Sequence, residues 1–111
     1  MSPSVGPRDH RRVDRRFERR IPIELTHEGA TLAAETRNLS LGGVFIATDA
    51  RLPYGARVQL RFQVPTLPQL IEVGGQVRWC DSTEGAEGLG IRFDGLRARE
   101  VWALNKFFAA G

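Results

Sequence analysis

Four arginines lie within six residues, in the stretch RRFERR at positions 15–20. Two pairs have the spacing R-x-x-x-R: Arg16 with Arg20, and Arg15 with Arg19. A guanidinium group can fork onto two phosphate oxygens, donate to the O6 and N7 atoms of guanine, or stack on a base. Taken alone, such a run is typical of a solvated basic flank or of a nonspecific nucleic-acid tail.

A second polar motif is the stretch NLSLGG at residues 38–43, which has the spacing N-x-S-x-x-G. Asparagine, serine and glycine favour turns, because their side chains bond to nearby backbone or permit unusual backbone angles. The motif therefore predicts a turn on any interpretation. Like the arginine run, it is not specific by itself.

The sequence contains no recognisable catalytic or metal-binding set. Cys80 is its single cysteine, so no internal disulfide can form, and neither His10 nor His27 has a spacing that predicts a Cys-His dyad. No nucleophile is accompanied by a base, and no carboxylate pair has supporting context. We expect a binding protein without metal or cofactor, and not an enzyme.

The positive charge of the chain is concentrated near its N-terminus. Residues 1–20 hold seven arginines against three acids, whereas the whole chain of 111 residues has a net charge of +3. Residues 1–14, rich in charge, proline and glycine, are expected to form a flexible tail. Neither an export signal nor a run of about 18–20 apolar residues is present. We therefore expect one soluble, cytoplasmic domain without membrane insertion.

Alternating apolar residues predict six short strands. The clearest is RVQLRFQV, residues 57–64, in which every second residue is apolar. The other five are a strand that begins at Ile21 and the stretches TLAAETRN, GVFIAT, EVGGQVRWCD and GLGIRF. Their spacing of about ten residues, with no helix between them, predicts an antiparallel barrel or sandwich.

The stretch EVGGQVRWCD carries two finer expectations. Its glycine pair, Gly74 and Gly75, is of the kind that permits a bulge or sharp coil in the strand. Trp79 is in phase with Val73 and Val77, so we expect its side chain to face the core.

After Asp94 the apolar period changes to that of a helix. Val101, Leu104 and Phe108 fit one helical face, and Trp102 broadens it. This pattern predicts a C-terminal helix that packs on the barrel, without a strong capping box at its start. Trp102, like the tryptophan of the preceding strand, is expected to be a packing residue.

Together, and in this order ahead of these strands, the two motifs resemble those of the PilZ domain, the bacterial receptor module for the second messenger cyclic di-GMP. The likeness continues through GGVFI, GARVQLRF, GQVRW and GLGIRF ahead of a helix, over residues 15–108. It implies an all-β fold with one helix, namely a six-stranded antiparallel β-barrel with a C-terminal α-helix. The implied PilZ-like domain spans residues 15–111, behind the flexible basic tail of residues 1–14.

The resemblance also implies which arginines bind the ligand. Arg16 and Arg20 would be the motif arginines, because an apolar-Pro-apolar stretch normally follows the last of them directly. Arg15 would be a further ligand contact. The alternative register, Arg15 with Arg19, stays open.

In the second motif the resemblance implies three further ligand-binding residues. Asn38 would pair with a guanine edge, and Ser40 would donate to a phosphate or hold the turn. Gly43 would let the backbone approach the ligand, or would adopt a φ angle that a Cβ atom forbids.

The implied function is a receptor that couples cyclic di-GMP binding to a downstream protein partner. The arginine segment is expected to be mobile until it wraps over the nucleotide. One alternative is a PilZ-like adaptor that binds no nucleotide and acts through a motility or pilus-assembly partner. Another is nucleic-acid binding, which is less favoured because Phe17 is the single aromatic residue of the basic cluster. No specific nucleic acid is therefore expected as a partner.

Overall fold

The computed structural model describes residues 15–110, which form seven strands and one helix. The predicted tail, residues 1–14, lies outside the described residues. The elements are β1 (Phe17–Glu18), β2 (Pro22–His27), β3 (Ala30–Leu39), β4 (Gly43–Ala47), β5 (Arg57–Phe62), β6 (Ile71–Asp81), β7 (Gly88–Phe93) and α1 (Ala98–Ala110).

Six of these strands close into a barrel. The strand order is β3-β2-β5-β6-β7-β4, and β4 pairs back onto β3, with every pairing antiparallel. Because each strand of the ring has a neighbour on both sides, the barrel has no free edge. The prediction of a six-stranded antiparallel barrel with a C-terminal helix is confirmed.

The interior of the barrel follows from the alternation in the sequence. Along β5, Val58, Leu60 and Phe62 are buried while the residues between them are exposed. Successive side chains of a strand point to opposite faces, so this pattern places one face inside. The largest fully buried side chains are Phe62, Leu25, Leu39, Ile46, Leu60, Ile71, Leu89, Ile91, Leu104, Val44, Val64 and Val77.

The short strand β1 is an addition to the predicted set. It pairs with the end of β3, with Phe17 opposite Leu39 and Glu18 opposite Asn38. Because β2 pairs with the earlier part of β3, β1 continues the line of β2 along the same side of that strand. This pairing brings the arginine segment to the turn that follows β3.

The outward position of Trp79 corrects the expectation that it faces the core. The pairing of β6 with β7 shifts register between Val77 and Trp79, which leaves Arg78 as the extra residue of a bulge. One extra residue reverses the alternation, so Val77 is buried whereas Trp79 is 56% exposed. The bulge lies at Arg78 and not at the glycine pair of residues 74–75, where the pairing with β5 is regular.

The helix α1 closes one side of the barrel with Ala103, Leu104 and Phe108, which are all buried. Its first turn is capped by Glu100, whose Oε1 accepts the backbone N–H of Arg97 at 2.9 Å. This is half of a capping box, formed although the capping position lacks serine or threonine. No helix within residues 15–110 is long and apolar enough to cross a membrane.

Trp102 does not pack on the barrel as predicted. Its side chain is 56% exposed, on the side of α1 opposite to the buried face. A single broad apolar stripe was inferred from the sequence, but three buried residues already cover the contact with the barrel. The aromatic ring therefore lies at the surface.

Candidate functional site

The two motifs meet at one side-chain contact. Arg16 Nη1 donates a hydrogen bond to Asn38 Oδ1 at 2.9 Å. The contact follows from the fold, because Glu18 pairs directly with Asn38 and Arg16 precedes that strand by one residue. Residues separated by 22 positions in the chain thus lie side by side at the end of β3.

The arginine segment is held in place by a buried threonine. Thr36 Oγ1 donates to the carbonyl of Arg19 at 2.6 Å and accepts the N–H of Ile21 at 2.9 Å. The backbone N–H of Thr36 also donates to the carbonyl of Ile21 at 2.9 Å. Arg20 lies between these anchored residues with an exposed side chain. From Phe17 onward the segment therefore contacts β3 and α1. Its mobility before ligand binding stays a prediction.

Arg19 is directed away from Asn38 and towards the helix. Its Nη2 donates to the carbonyl of Phe108 at 2.9 Å, and its guanidinium lies 5.4 Å from the ring centroid of Phe107. Phe17 stacks on Phe108 with centroids 4.2 Å apart. Arg15 lies over the ring of Phe17 at 5.0 Å and is exposed. Phe17 and Arg19 thus connect the arginine motif to α1.

Ser40 holds the turn between β3 and β4. Its Oγ accepts the N–H groups of Gly42 at 3.1 Å and Gly43 at 3.0 Å, and its own N–H donates to the carbonyl of Gly43 at 2.9 Å. The side chain is fully buried. Of the two roles expected for Ser40, this geometry corresponds to holding the turn.

Gly43 is a glycine because of its neighbour on β7. A Cβ atom there would overlap the carbonyl oxygen of Ile91. Its φ angle lies outside the left-handed region, so the expected need for an unusual φ does not apply. The absence of a side chain lets β4 and β7 pack closely beneath the turn.

A cavity of about 570 Å³ opens beside the two motifs. This size is within the range of about 300–1,000 Å³ typical of small-molecule sites. Three arginines line it, namely Arg16, Arg78 and Arg92, and none of the described lining residues is acidic. The other lining residues are Leu41, Gly42, Gly43, Trp79, Gly90, Ile91, Phe93 and Gly95. The cavity is therefore suited to an anion with flat, partly apolar groups.

Trp79 forms an aromatic wall of this cavity. Its ring lies on Gly90, where a Cβ atom would come within 3.2 Å of Trp79 Cε3. On its other side the ring is tilted against Phe45, with centroids 5.4 Å apart. Nearby, the guanidinium of Arg78 lies 5.4 Å from the ring of Tyr54. Trp79 and Arg78 of the cavity lining are therefore each backed by an aromatic ring, Phe45 and Tyr54 respectively.

A family model of the PilZ domain matches residues 8–110. The chain belongs to the PilZ domain family. The match includes both motifs and all the described strands, so the resemblance inferred from the sequence is confirmed. No curated protein matches the chain significantly.

Three solved structures show the same fold as this PilZ domain. The inhibitor of motility MotI/DgrA of Bacillus subtilis superimposes with a TM-score of 0.72, at 18% identity over 86% of this chain. PlzA of Borreliella burgdorferi, in complex with c-di-GMP, gives a TM-score of 0.61 at 18% identity over 90% of this chain. The PilZ domain of YcgR from Escherichia coli, with c-di-GMP, gives 0.57 at 20% identity over 86%.

The chain corresponds to one part of the larger relatives. It spans 48% of MotI/DgrA and 36% of PlzA, but 91% of the YcgR PilZ domain. At these identities the likeness establishes the fold. We therefore infer the function from the site residues of this chain itself.

Two groups in this PilZ site were not found from the sequence. Thr36 looked like an ordinary strand residue, but it is in phase with Leu32 and Ala34, and a buried hydroxyl needs partners. Trp79 was expected to face the core, because the alternation of β6 does not reveal the bulge at Arg78. The alternation in the sequence places Thr36 on the buried face of β3. It does not show where the bulge in β6 lies.

Asp81, at the end of β6, is the nearest acidic residue of that strand to Trp79. The backbone N–H of Thr83 donates to its Oδ1 at 2.9 Å, and this bond, together with one from the Thr83 side chain, lowers the pKa of Asp81. Desolvation opposes this shift in the pKa, and the positive charge of Arg37 adds a smaller lowering effect. Asp81 therefore stays ionised at neutral pH, and it does not line the cavity.

A larger cavity, of about 710 Å³, lies on another side of this PilZ domain. It is bounded by β2, β3 and the loop after β5, and its lining is mainly apolar, with Glu24 at its rim. Arg61 also lies there, but ion pairs join it to Glu24 and Glu72. This cavity is larger than the one beside Arg16, but its lining is less suited to an anionic ligand because its arginine is already paired with two carboxylates.

Metal ligation is not suggested by the described residues. No group of three or more His, Cys, Asp or Glu side chains within residues 15–110 lies close enough to hold an ion. Cys80 is a free, exposed thiol.

Proposed function

We propose that this PilZ domain is a receptor for cyclic di-GMP. The observation that carries the proposal is the contact of Arg16 with Asn38 at the rim of a cavity that also contains Arg78 and Arg92. Cyclic di-GMP carries two phosphates and two guanines, so its receptor needs cations as well as donors or planes for the bases. An arginine-lined cavity with an aromatic wall supplies both.

In this proposal the residues of the two motifs make different contacts with the ligand. Arg16 and Arg20 bind phosphate oxygens or guanine edges, and Arg15 adds an outer contact. Asn38 orients Arg16 through its Oδ1, which leaves its Nδ2 to donate to a guanine acceptor. Trp79 offers a ring on which a guanine can stack, since base–aromatic stacking contributes about 1–3 kcal/mol per base.

Ser40 and Gly43 act on the ligand through the shape of the turn. The Ser40 hydroxyl accepts the N–H groups of Gly42 and Gly43 and donates its own proton to the carbonyl of Gly43 at 3.3 Å, so it holds the turn rather than donating to phosphate. Gly43 lets β4 pack closely against β7 at the base of the cavity, because any Cβ atom there would force the two strands apart. This interpretation selects the second of the two roles expected for Ser40.

The fold comparison supports the proposal. PlzA and the YcgR PilZ domain, whose structures contain c-di-GMP, share the fold of this chain. We propose that the domain acts in the cytoplasm as a signalling module and not as an enzyme, and that it transmits binding to a protein partner. Phe17 and Arg19 offer a route, because they join the arginine motif to α1.

Calorimetric titration tests the ligand class. The wild-type chain should bind cyclic di-GMP and should show much weaker binding of cyclic AMP, GTP and a random oligonucleotide. Equal binding of GTP would show that the site recognises a single guanine nucleotide. No binding of cyclic di-GMP would contradict the proposal and would favour an adaptor that acts through its protein partner alone.

A further inference from the structure

The outer face of α1 presents an aromatic ring between two cations. Arg99, Trp102 and Lys106 are all exposed and are spaced by three and four residues, which places them on one side of the helix. Lys106 Nζ lies 5.3 Å from the centroid of the Trp102 ring. Trp102 lines neither of the two cavities, so the nucleotide site does not explain its exposure.

This face carries no negative charge within the described chain. The single acidic residue of α1 is Glu100, which is only 4% exposed and is engaged by the backbone N–H of Arg97. The side chain of Arg97 is itself exposed just before the helix. The exposed charges of α1 and of Arg97 just before it are therefore all positive.

We propose that this face, defined by Arg99, Trp102 and Lys106, docks an acidic segment of a partner protein. An apolar side chain of the partner would cover the Trp102 ring, and carboxylates would pair with the flanking cations. Tryptophan and arginine are the residue types that most often dominate protein–protein binding energy, usually near the centre of the contact. Charge complementarity would give the contact its selectivity and its rate of association.

Other occupants fit this face less well. An interfacial membrane helix inserts its apolar stripe, but Ala103, Leu104 and Phe108 of α1 are buried against the barrel. Proteins that bind nucleic acid through its phosphates can make about 6–10 phosphate contacts, whereas this face has two cations, with Arg97 as a third beside it. Two copies of this positive face would repel each other. Of these occupants, a protein segment that carries carboxylates fits the face best.

The docking face does not depend on the proposed nucleotide site, although the two are connected in the fold. Arg19 donates to the carbonyl of Phe108 in the same helix. A partner could therefore bind α1 whether or not cyclic di-GMP binds the cavity. Failure of one proposal leaves the other standing.

The experiment selects peptides from a random displayed library on the full wild-type chain, with counter-selection on Trp102→Ala. Selected peptides are then synthesised, and their affinities are measured by fluorescence anisotropy. We expect them to carry carboxylates beside an apolar residue. Trp102→Ala and Lys106→Glu should each weaken binding at least about tenfold. The matched control Arg51→Glu makes the same charge change on an exposed loop residue and should leave the affinity unchanged.

A charge swap provides the sharpest readout. A peptide in which one glutamate is replaced by lysine should lose affinity for the wild type and regain it with Lys106→Glu. Circular dichroism checks that each variant is folded, and Lys106→Gln replaces any variant that is not. The proposal is overturned if no acidic peptide is selected, or if the variants bind selected peptides as the wild type does.

The other occupants are tested in parallel. Phosphatidylglycerol vesicles and a single-stranded oligonucleotide are titrated into the wild type and Lys106→Glu. Size-exclusion chromatography of both proteins reports self-association. Binding of vesicles or oligonucleotide that is lost in Lys106→Glu, without binding of acidic peptides, would assign the face to another occupant and contradict the proposal. A wild-type dimer that is lost in Lys106→Glu would also contradict the proposal, because it would show that a second copy of the chain occupies the face.

Discussion

Arg16 Nη1 lies 2.9 Å from Asn38 Oδ1, and this hydrogen bond joins the two polar motifs of the chain. A basic tail would have no reason to meet a turn motif 22 residues away. The contact is produced by strand pairing, because β1 lies along the end of β3. It makes the arginine motif part of the barrel and gives the cavity one of its three arginines.

A double-mutant cycle on Arg16→Ala and Asn38→Ala should show coupling in cyclic di-GMP affinity. Asn38 orients the Arg16 guanidinium, so removing either side chain should weaken binding about tenfold to a hundredfold, as expected for a hydrogen bond to a charged group. The double variant should lose less than the sum of the two. Additive losses measured by calorimetry would show that the two residues act on the ligand independently.

Comparison of Arg20→Ala with Arg19→Ala should establish the register of the arginine motif. Arg20 is exposed, so Arg20→Ala should reduce nucleotide affinity and leave the melting temperature nearly unchanged. Arg19→Ala should lower the free energy of unfolding by about 1–2 kcal/mol, because it loses a hydrogen bond to Phe108 and ring contacts. The reverse pattern in calorimetry and thermal melts would favour the register Arg15 with Arg19.

Replacement of Thr36 by valine should destabilise the domain although the two side chains have nearly the same shape. The buried hydroxyl serves the carbonyl of Arg19 and the N–H of Ile21, and both would lose their partner. We expect a loss of about 1–3 kcal/mol in urea denaturation. The control Thr26→Val removes an exposed hydroxyl pair with Thr31 and should cost about 0.5 kcal/mol or less. Equal effects of the two variants would refute the anchoring role of Thr36.

Two glycines that line the cavity should respond differently to alanine. Gly43→Ala places a Cβ atom against the carbonyl of Ile91 and should cost about 1–3 kcal/mol in stability, since backbone must shift. Gly95→Ala meets no atom within 4 Å and should melt as the wild type does. If Gly43→Ala is as stable as Gly95→Ala, the close packing of β4 on β7 is not what requires a glycine there.

The barrel could be predicted because alternation is a local signal. In β5 each buried residue is two positions from the next, and its pattern of Val58, Leu60 and Phe62 requires no knowledge of the partner strands. The side-chain phase of Trp79 could not be predicted in the same way. A bulge depends on how β6 meets β7, and a single extra residue reverses every side chain beyond it.

The candidate site was only partly predictable for a similar reason. The motif spacings marked Arg16 and Asn38, but their contact depends on β1, a strand of two residues that is too short for any periodic pattern. Arg19 and Arg20 look alike in the sequence, and they differ because α1 lies on one side of the segment. Long-range contacts of this kind are determined by the whole fold.

Calorimetric titration of cyclic di-GMP into the wild type, Arg16→Ala and the exposed-loop control Arg51→Ala tests whether the cavity beside Arg16 is the nucleotide site. We expect the wild type and Arg51→Ala to bind with similar affinity, whereas Arg16→Ala should bind at least about tenfold more weakly while keeping the wild-type melting temperature. Binding by Arg16→Ala that equals the wild type would contradict the assignment of this cavity as the nucleotide site.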